Sequence, residues 1–170
     1  MDNSILEKTL QFEGGYVDDP DDRGGATNYG ITEDVARSHG YEGDMKDLPK
    51  SKAVEIYKES YVDPLLDDID SEVIQLLVFD ASVNHGTKWG VKFLQRAYNT
   101  LNFDTIAEDG ILGSQTVGAV NKYTDTQSLA FWYLIVRGQY FRDIVKNSQS
   151  QKRFIRGWGN RIKHLMKEVL

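Results

Sequence analysis

The residues best suited to do chemistry crowd into FEGGYVDDPDDRGGATNYGIT, residues 12–32. Glu13 follows the apolar Phe12, at the end of a stretch in which Ile5, Leu6, Leu10 and Phe12 share one helical face. A carboxyl group placed there is partly desolvated, which disfavours its charged form and raises its pKa. A general acid needs that shift if it is to hold a proton near neutral pH. Gly14 and Gly15 let the chain turn, and it runs on through Asp18, Asp19, Asp21 and Asp22. Carboxylates in a polar, solvated loop stay ionised, so the two kinds of group are split in pKa. One protonated and one ionised carboxyl suit the hydrolysis of a glycosidic bond: the first protonates the leaving oxygen, the second works on the other face of the sugar. Asp22 lies nine residues after Glu13, and Thr27 five after Asp22, so the Thr27 hydroxyl is a candidate to help Asp22 orient a water. Tyr16 and Tyr29 offer stacking faces, and the glycines at 24, 25 and 30 permit close backbone approach to a flat ring. Two other readings stay open: a plain helix stop, or a calcium loop. Against the second, DDPDDRGG lacks the alternating order and distal glutamate of an EF-hand, and Pro20 breaks the register.

Other chemistries find little support. The chain has no cysteine, so thiolate catalysis and cysteine-ligated metals are excluded. Its histidines, His39, His85 and His164, are far apart and outside any HxxxH or HExxH pattern, so the reading is of an enzyme with no metal and no cofactor. Ser/His and Cys/His machinery is not evident. Nothing points to nucleic acid.

At 170 residues, with 40% hydrophobic and 27% charged, the chain suits one globular domain with a real core, or one domain with a small appended lobe. No run reaches the ~20 apolar residues of a membrane span. MDNSILEKTLQFEGG lacks the basic and apolar regions of a secretory signal, which predicts a protein made soluble in the cytosol, without stable membrane insertion, that something else must carry across if its substrate lies outside the membrane. The formal charge of -6 is unevenly placed: Arg137 to Leu170 holds nine Lys/Arg against two Asp/Glu, and Met1 to Val136 holds eleven against twenty-four. The basic tail either meets an anionic envelope or packs on the acidic body and neutralises it.

Periodicity predicts a mainly α fold, with a glycine/aspartate-rich loop or small hairpin after the first helix. Ser4 and Glu7 resemble a capping box for a helix that stops at Gly14-Gly15. Thr32 is placed to cap a short helix ending near His39-Gly40, and Lys50 to Tyr61 forms an amphipathic helix closed by Asp63-Pro64. Residues 71–85 are apolar on most faces and form the buried centre, after which Thr87 is expected to cap the next helix. A glycine-bearing turn at 104–116 leads into a short helix from Ser114, in which Asp109 and Thr116 would close the turn. Residues 127–147 and 151–168 form two long helices. If two lobes exist, the seam falls around residues 86–92, giving 1–86 and 87–170.

The string EGGYVDDPDDRGGATNYGIT resembles the N-terminal signature of glycoside hydrolase family 108, the muramidases common among phage endolysins. AVEIYKESYVDPL (53–65) and FDASVNHGTKWGVKFLQRAYN (79–99) are similar to its following helices, and DGILGSQT (109–116) looks like a turn of peptidoglycan-binding modules. The resemblance implies a lysozyme-like helical fold, bacterial peptidoglycan as partner, and Glu13 as catalytic acid. The Glu–Asp–Thr arrangement of phage-type lysozymes, with nearly the same spacing, carries Asp22 and Thr27 over as the water-handling pair. Asp18, Asp19 and Asp21 stand beside Asp22 as alternatives, and Arg23 replaces the usual proline. Tyr16, Asn28, Tyr29 and Asn84 are the candidate substrate-binding residues, Asn84 through an N-acetyl group or else as a helix-end cap. A lytic transglycosylase, which uses one glutamate and leaves an anhydro-sugar, and a non-catalytic wall-binding module are the rival functions.

Overall fold

The computed structural model describes Leu6, Thr9, Leu10, residues 14–17 and residues 26–170. Among these, seven α-helices, three 3-10 turns and one two-stranded sheet make the fold mainly α. By packing, the chain divides into Met1–Val62 and Asp63–Leu170.

In the first unit, β1 (Thr27–Asn28) and β2 (Ile31–Thr32) pair antiparallel, Thr27 with Thr32 and Asn28 with Ile31. Tyr29 at φ 51° and Gly30 at φ 71° form the two-residue link, and a hairpin this tight needs positive φ at both central positions. Val17 adds a bridge on the outer side of Thr27, with backbone bonds of 2.8 and 2.7 Å. The sequence left open a loop or a hairpin; a small hairpin is present. Thr32 then caps α1 (Glu33–Ser38), accepting from the Val35 amide at 3.4 Å. A 3-10 turn at Met45–Asp47 leads to α2 (Lys50–Tyr61), whose Ala53, Ile56 and Tyr57 are buried. Leu6 and Leu10, both helical, are buried as well.

The second unit is built around α3 (Glu72–His85), in which every residue from Ile74 to Ser82 is buried. A helix buried on all sides is the expected result of an apolar sequence without a polar face. Ser71 caps its start. Its end corrects one expectation: Gly86, and not Thr87, stands at the cap, and Thr87 is already the first residue of α4 (Thr87–Leu101). Gly86 at φ 83° serves both helices at once, and only glycine takes that conformation without strain. The one-residue joint presses α3 and α4 together at Gly90. A Cβ there would come within 2.5 Å of the Ser82 hydroxyl and 2.8 Å of the Val78 carbonyl.

Two more layers close the unit. The turn before α5 (Ser114–Lys122) is pinned by buried Gln95, which donates to Asp109 at 2.9 Å and Thr116 at 3.3 Å and accepts from the Gly110 amide at 2.9 Å. Asp109 and Thr116 therefore do close this turn. α6 (Thr126–Asn147) crosses α4, its Tyr133 donating to the Gly90 carbonyl at 2.9 Å. The last helix expected from the sequence begins as a 3-10 turn at Gln149–Phe154 and becomes α7 at Ile155–Val169. No helix among the described residues is long and apolar enough to cross a membrane.

Candidate active site

Glu13 and Asp22, the expected acid and water-handling carboxylate, lie outside the described residues, as do Asp18, Asp19 and Asp21. The residues that flank them in sequence are described. Val17 and Thr27 are bonded backbone to backbone in both directions, so the ends of the aspartate-rich segment are fixed to each other. The Thr27 hydroxyl reaches the Val17 carbonyl only at 3.5 Å, the long limit of a hydrogen bond, and so is weakly engaged.

Beside this bridge lies a groove of about 500 Å³ within the first unit, bordered by Tyr16, Ala26, Glu33, Arg37 and the 42–45 turn. Its wall is built from the sequence upward. Arg37, in the last turn of α1, pairs with Glu33 at 2.6 Å and donates to the carbonyls of Tyr41 at 2.7 Å and Gly43 at 2.8 Å. The Tyr41 hydroxyl donates to the Asp44 carbonyl at 2.9 Å and lies over Gly43, where a Cβ would meet it at 2.6 Å. One guanidinium and one ring thus hold the turn that faces Tyr16.

The hairpin residues divide by role. Asn28 is buried, and its amide nitrogen donates to the carbonyls of Met45 at 2.8 Å and Lys46 at 3.4 Å. That engagement ties the hairpin to the 3-10 turn, so the expected substrate contact is not what its amide nitrogen makes here. Tyr29 occupies the turn, with its carbonyl accepting from the Tyr57 hydroxyl at 2.7 Å. Tyr16 is 41% exposed, which leaves part of its ring surface at the groove. Asn84 belongs to the second unit, exposed in the last turn of α3, with its amide nitrogen bonded to the Asp80 carbonyl at 2.8 Å. Gly86 occupies the helix end, so Asn84 is not the cap.

One cluster was not among the candidate residues. Asp80, wholly buried in α3, accepts from Arg137 of α6 and from Arg161 of α7, the latter at 2.7 and 3.0 Å to one oxygen. Burial alone would push this carboxyl up; the two guanidinium groups outweigh it and hold it below the usual range. Arg137 also donates to His85 at 3.3 Å. Burial, and then the charge of Arg137, push His85 down to about 3. The available signal was an aspartate in the middle of an otherwise apolar helix, because a buried charge requires a partner. No group of His, Asp and Glu among the described residues is arranged to hold a metal ion.

None of the curated proteins matches the chain in sequence. Among solved structures, that of Brucella abortus SagA is similar at a TM-score of 0.73 and 27% identity, over 98% of this chain and 92% of that one. The family model for glycosyl hydrolase 108 matches residues 6–86, and that for a predicted peptidoglycan domain matches 89–163. The hydrolase match takes in the hairpin, the groove and α3, and the two matches meet at the Gly86 joint between α3 and α4. The chain is similar over residues 6–86 to glycosyl hydrolase family 108, and over 89–163 to a predicted peptidoglycan domain.

Proposed function

We propose that this glycoside hydrolase is an N-acetylmuramidase that cuts the β-1,4 bond between N-acetylmuramic acid and N-acetylglucosamine in bacterial peptidoglycan. The observation that carries the reading is the family match over 6–86, which spans the groove beside the Val17–Thr27 bridge. Glu13 gives its proton to the bridging oxygen as the glycosidic bond breaks. Asp22, kept ionised by its polar loop, acts with the Thr27 hydroxyl on the water that supplies the new hydroxyl group. Tyr16 and Tyr29 stack against sugar faces, and the Asn84 carbonyl oxygen accepts from an N-acetyl group. Asn28 positions the hairpin through its amide nitrogen. In this reading residues 1–86 carry the cleavage, 87–170 hold the wall, and the protein works as a monomer in the manner of a phage endolysin.

Glu13→Gln tests the central role. Losing a general acid costs about 10²–10⁴ in rate, so turbidity of a wall suspension should hold steady while the variant's melting curve matches the parent's. Lysis at the parental rate by that variant would remove the acid from Glu13. Mass spectrometry of the released fragments separates hydrolysis from transglycosylation: hydrated reducing ends support the proposal, and products lighter by one water overturn it.

A further inference from the structure

We propose that a second groove, between α4 and α6, binds the peptide stems of peptidoglycan and not its glycan. This inference rests on the peptidoglycan reading and deepens it. The groove has a volume of about 690 Å³ and lies wholly inside residues 89–163, within the range of about 300–1,000 Å³ common for ligand sites. Its apolar surface comes from Trp89 and Tyr140, whose rings sit 4.4 Å apart, and from Val136 and Ile144.

Its polar groups decide the ligand. On the α4 side Arg96 pairs with Glu108 through Nε at 2.9 Å, and no other nitrogen of that guanidinium has a hydrogen-bond partner among the described residues. On the α6 side Asp143 is 59% exposed, and Arg142 approaches it only at 3.7 Å. The amides of Gln139 and Asn147, both exposed, line the same wall. A cation and a carboxylate on opposite walls, with amides alongside and an apolar floor, match a ligand that carries both charges and peptide groups. Peptide stems have carboxylates, an ammonium at the diamino acid, and backbone amides. An N-acetylglucosamine chain has neither charge, so it would leave Asp143 and the remaining nitrogens of Arg96 without a partner from the ligand.

The test uses the full chain carrying Glu13→Gln, so that the wall-cutting reading cannot affect the outcome. A soluble tetrapeptide of alanine, glutamate, diaminopimelate and alanine, and a peptide-free N-acetylglucosamine oligomer, are titrated against it by NMR and calorimetry. The expected result is that the peptide shifts the signals of Gln139, Tyr140 and Asn147, and that Asp143→Lys, or Gln139→Ala with Asn147→Ala, weakens binding at least tenfold. These positions are at the surface, and an unchanged melting curve verifies each fold. The proposal is overturned by absence of peptide binding, by peptide binding that these variants leave intact, or by groove shifts with the oligomer alone. Peptide binding at the groove by a parent chain that cuts no wall would sink the muramidase reading and keep this one.

Discussion

Replacing Asn28 by alanine removes its amide donor from the Met45 and Lys46 carbonyls, and leaves the Met45 carbonyl with the Leu48 amide at 3.3 Å. A lost hydrogen bond costs about 0.5–1.5 kcal/mol net, so the urea midpoint of Asn28→Ala should fall accordingly. An unmoved midpoint would mean that the hairpin is held by other contacts. Asp80 is the harsher case. Its removal leaves Arg137, wholly buried, without the carboxylate it pairs with, and takes from Arg161 the carboxylate that bonds it. Breaking a buried ion pair from one side costs about 3–5 kcal/mol, so Asp80→Asn should lose several times what Asn28→Ala loses in the same denaturation series. A small loss would show that solvent reaches the cluster and that the carboxylate is replaceable.

Gly90 is where the helix packing is most exacting, because α3 and α4 are joined by a single residue and cannot slide apart. In an isolated helix alanine is better than glycine by about 1 kcal/mol. Here the added methyl meets the Val78 carbonyl at 2.8 Å, and a backbone atom cannot swing away. Overpacking costs of about 1–3 kcal/mol outweigh the propensity gain, so Gly90→Ala should lower the melting temperature; a rise would show that α4 is free to shift. This joint also marks what the sequence made legible. The helices at 33–38, 50–61, 72–85 and 126–147 stood out because their apolar spacing is local and strong. Thr32 capped as expected because its partner, Val35, is three residues away. Thr87 was the natural cap by composition, and nothing local said that Gly86 would serve both helices. The role of Asn28 in holding the hairpin was not legible because the partners of its amide nitrogen lie 17 and 18 residues on. Asp80 is joined across 57 and 81 residues, beyond any pattern in a window of one helix. Of the candidate site, Tyr16 and Thr27 are brought to one groove and bridge, while Glu13 and Asp22 rest on the resemblance.

Across the whole molecule, the basic C-terminal stretch is partly structural: Arg137 and Arg161 come from it and neutralise Asp80 inside the fold. The same cluster sets how stability responds to acid. Because burial and Arg137 push His85 from its ordinary 6.5 down to about 3, the unfolded chain takes up a proton in that interval and the folded chain does not. Stability is therefore full above pH 6.5 and is lost as pH falls below it. A tenfold change in proton concentration across such an interval is worth about 1.4 kcal/mol; allowing for the partial exposure of the ring, the loss between pH 6.5 and 4 is about 2–3 kcal/mol. Asp80, also held below its ordinary value, adds a second loss only under stronger acid, once the pH passes under the usual carboxylate range toward its folded value. Urea denaturation at pH 7 and pH 4 measures the first interval. His85→Gln retains an acceptor for the Arg137 Nε but cannot take up a proton, so the difference in unfolding free energy between the two pH values should shrink by about 2–3 kcal/mol. If the variant keeps the parent's full acid dependence, the histidine packed between Arg137 and the rings of Phe93, Tyr140 and Phe141 is not the group that makes the fold acid-sensitive.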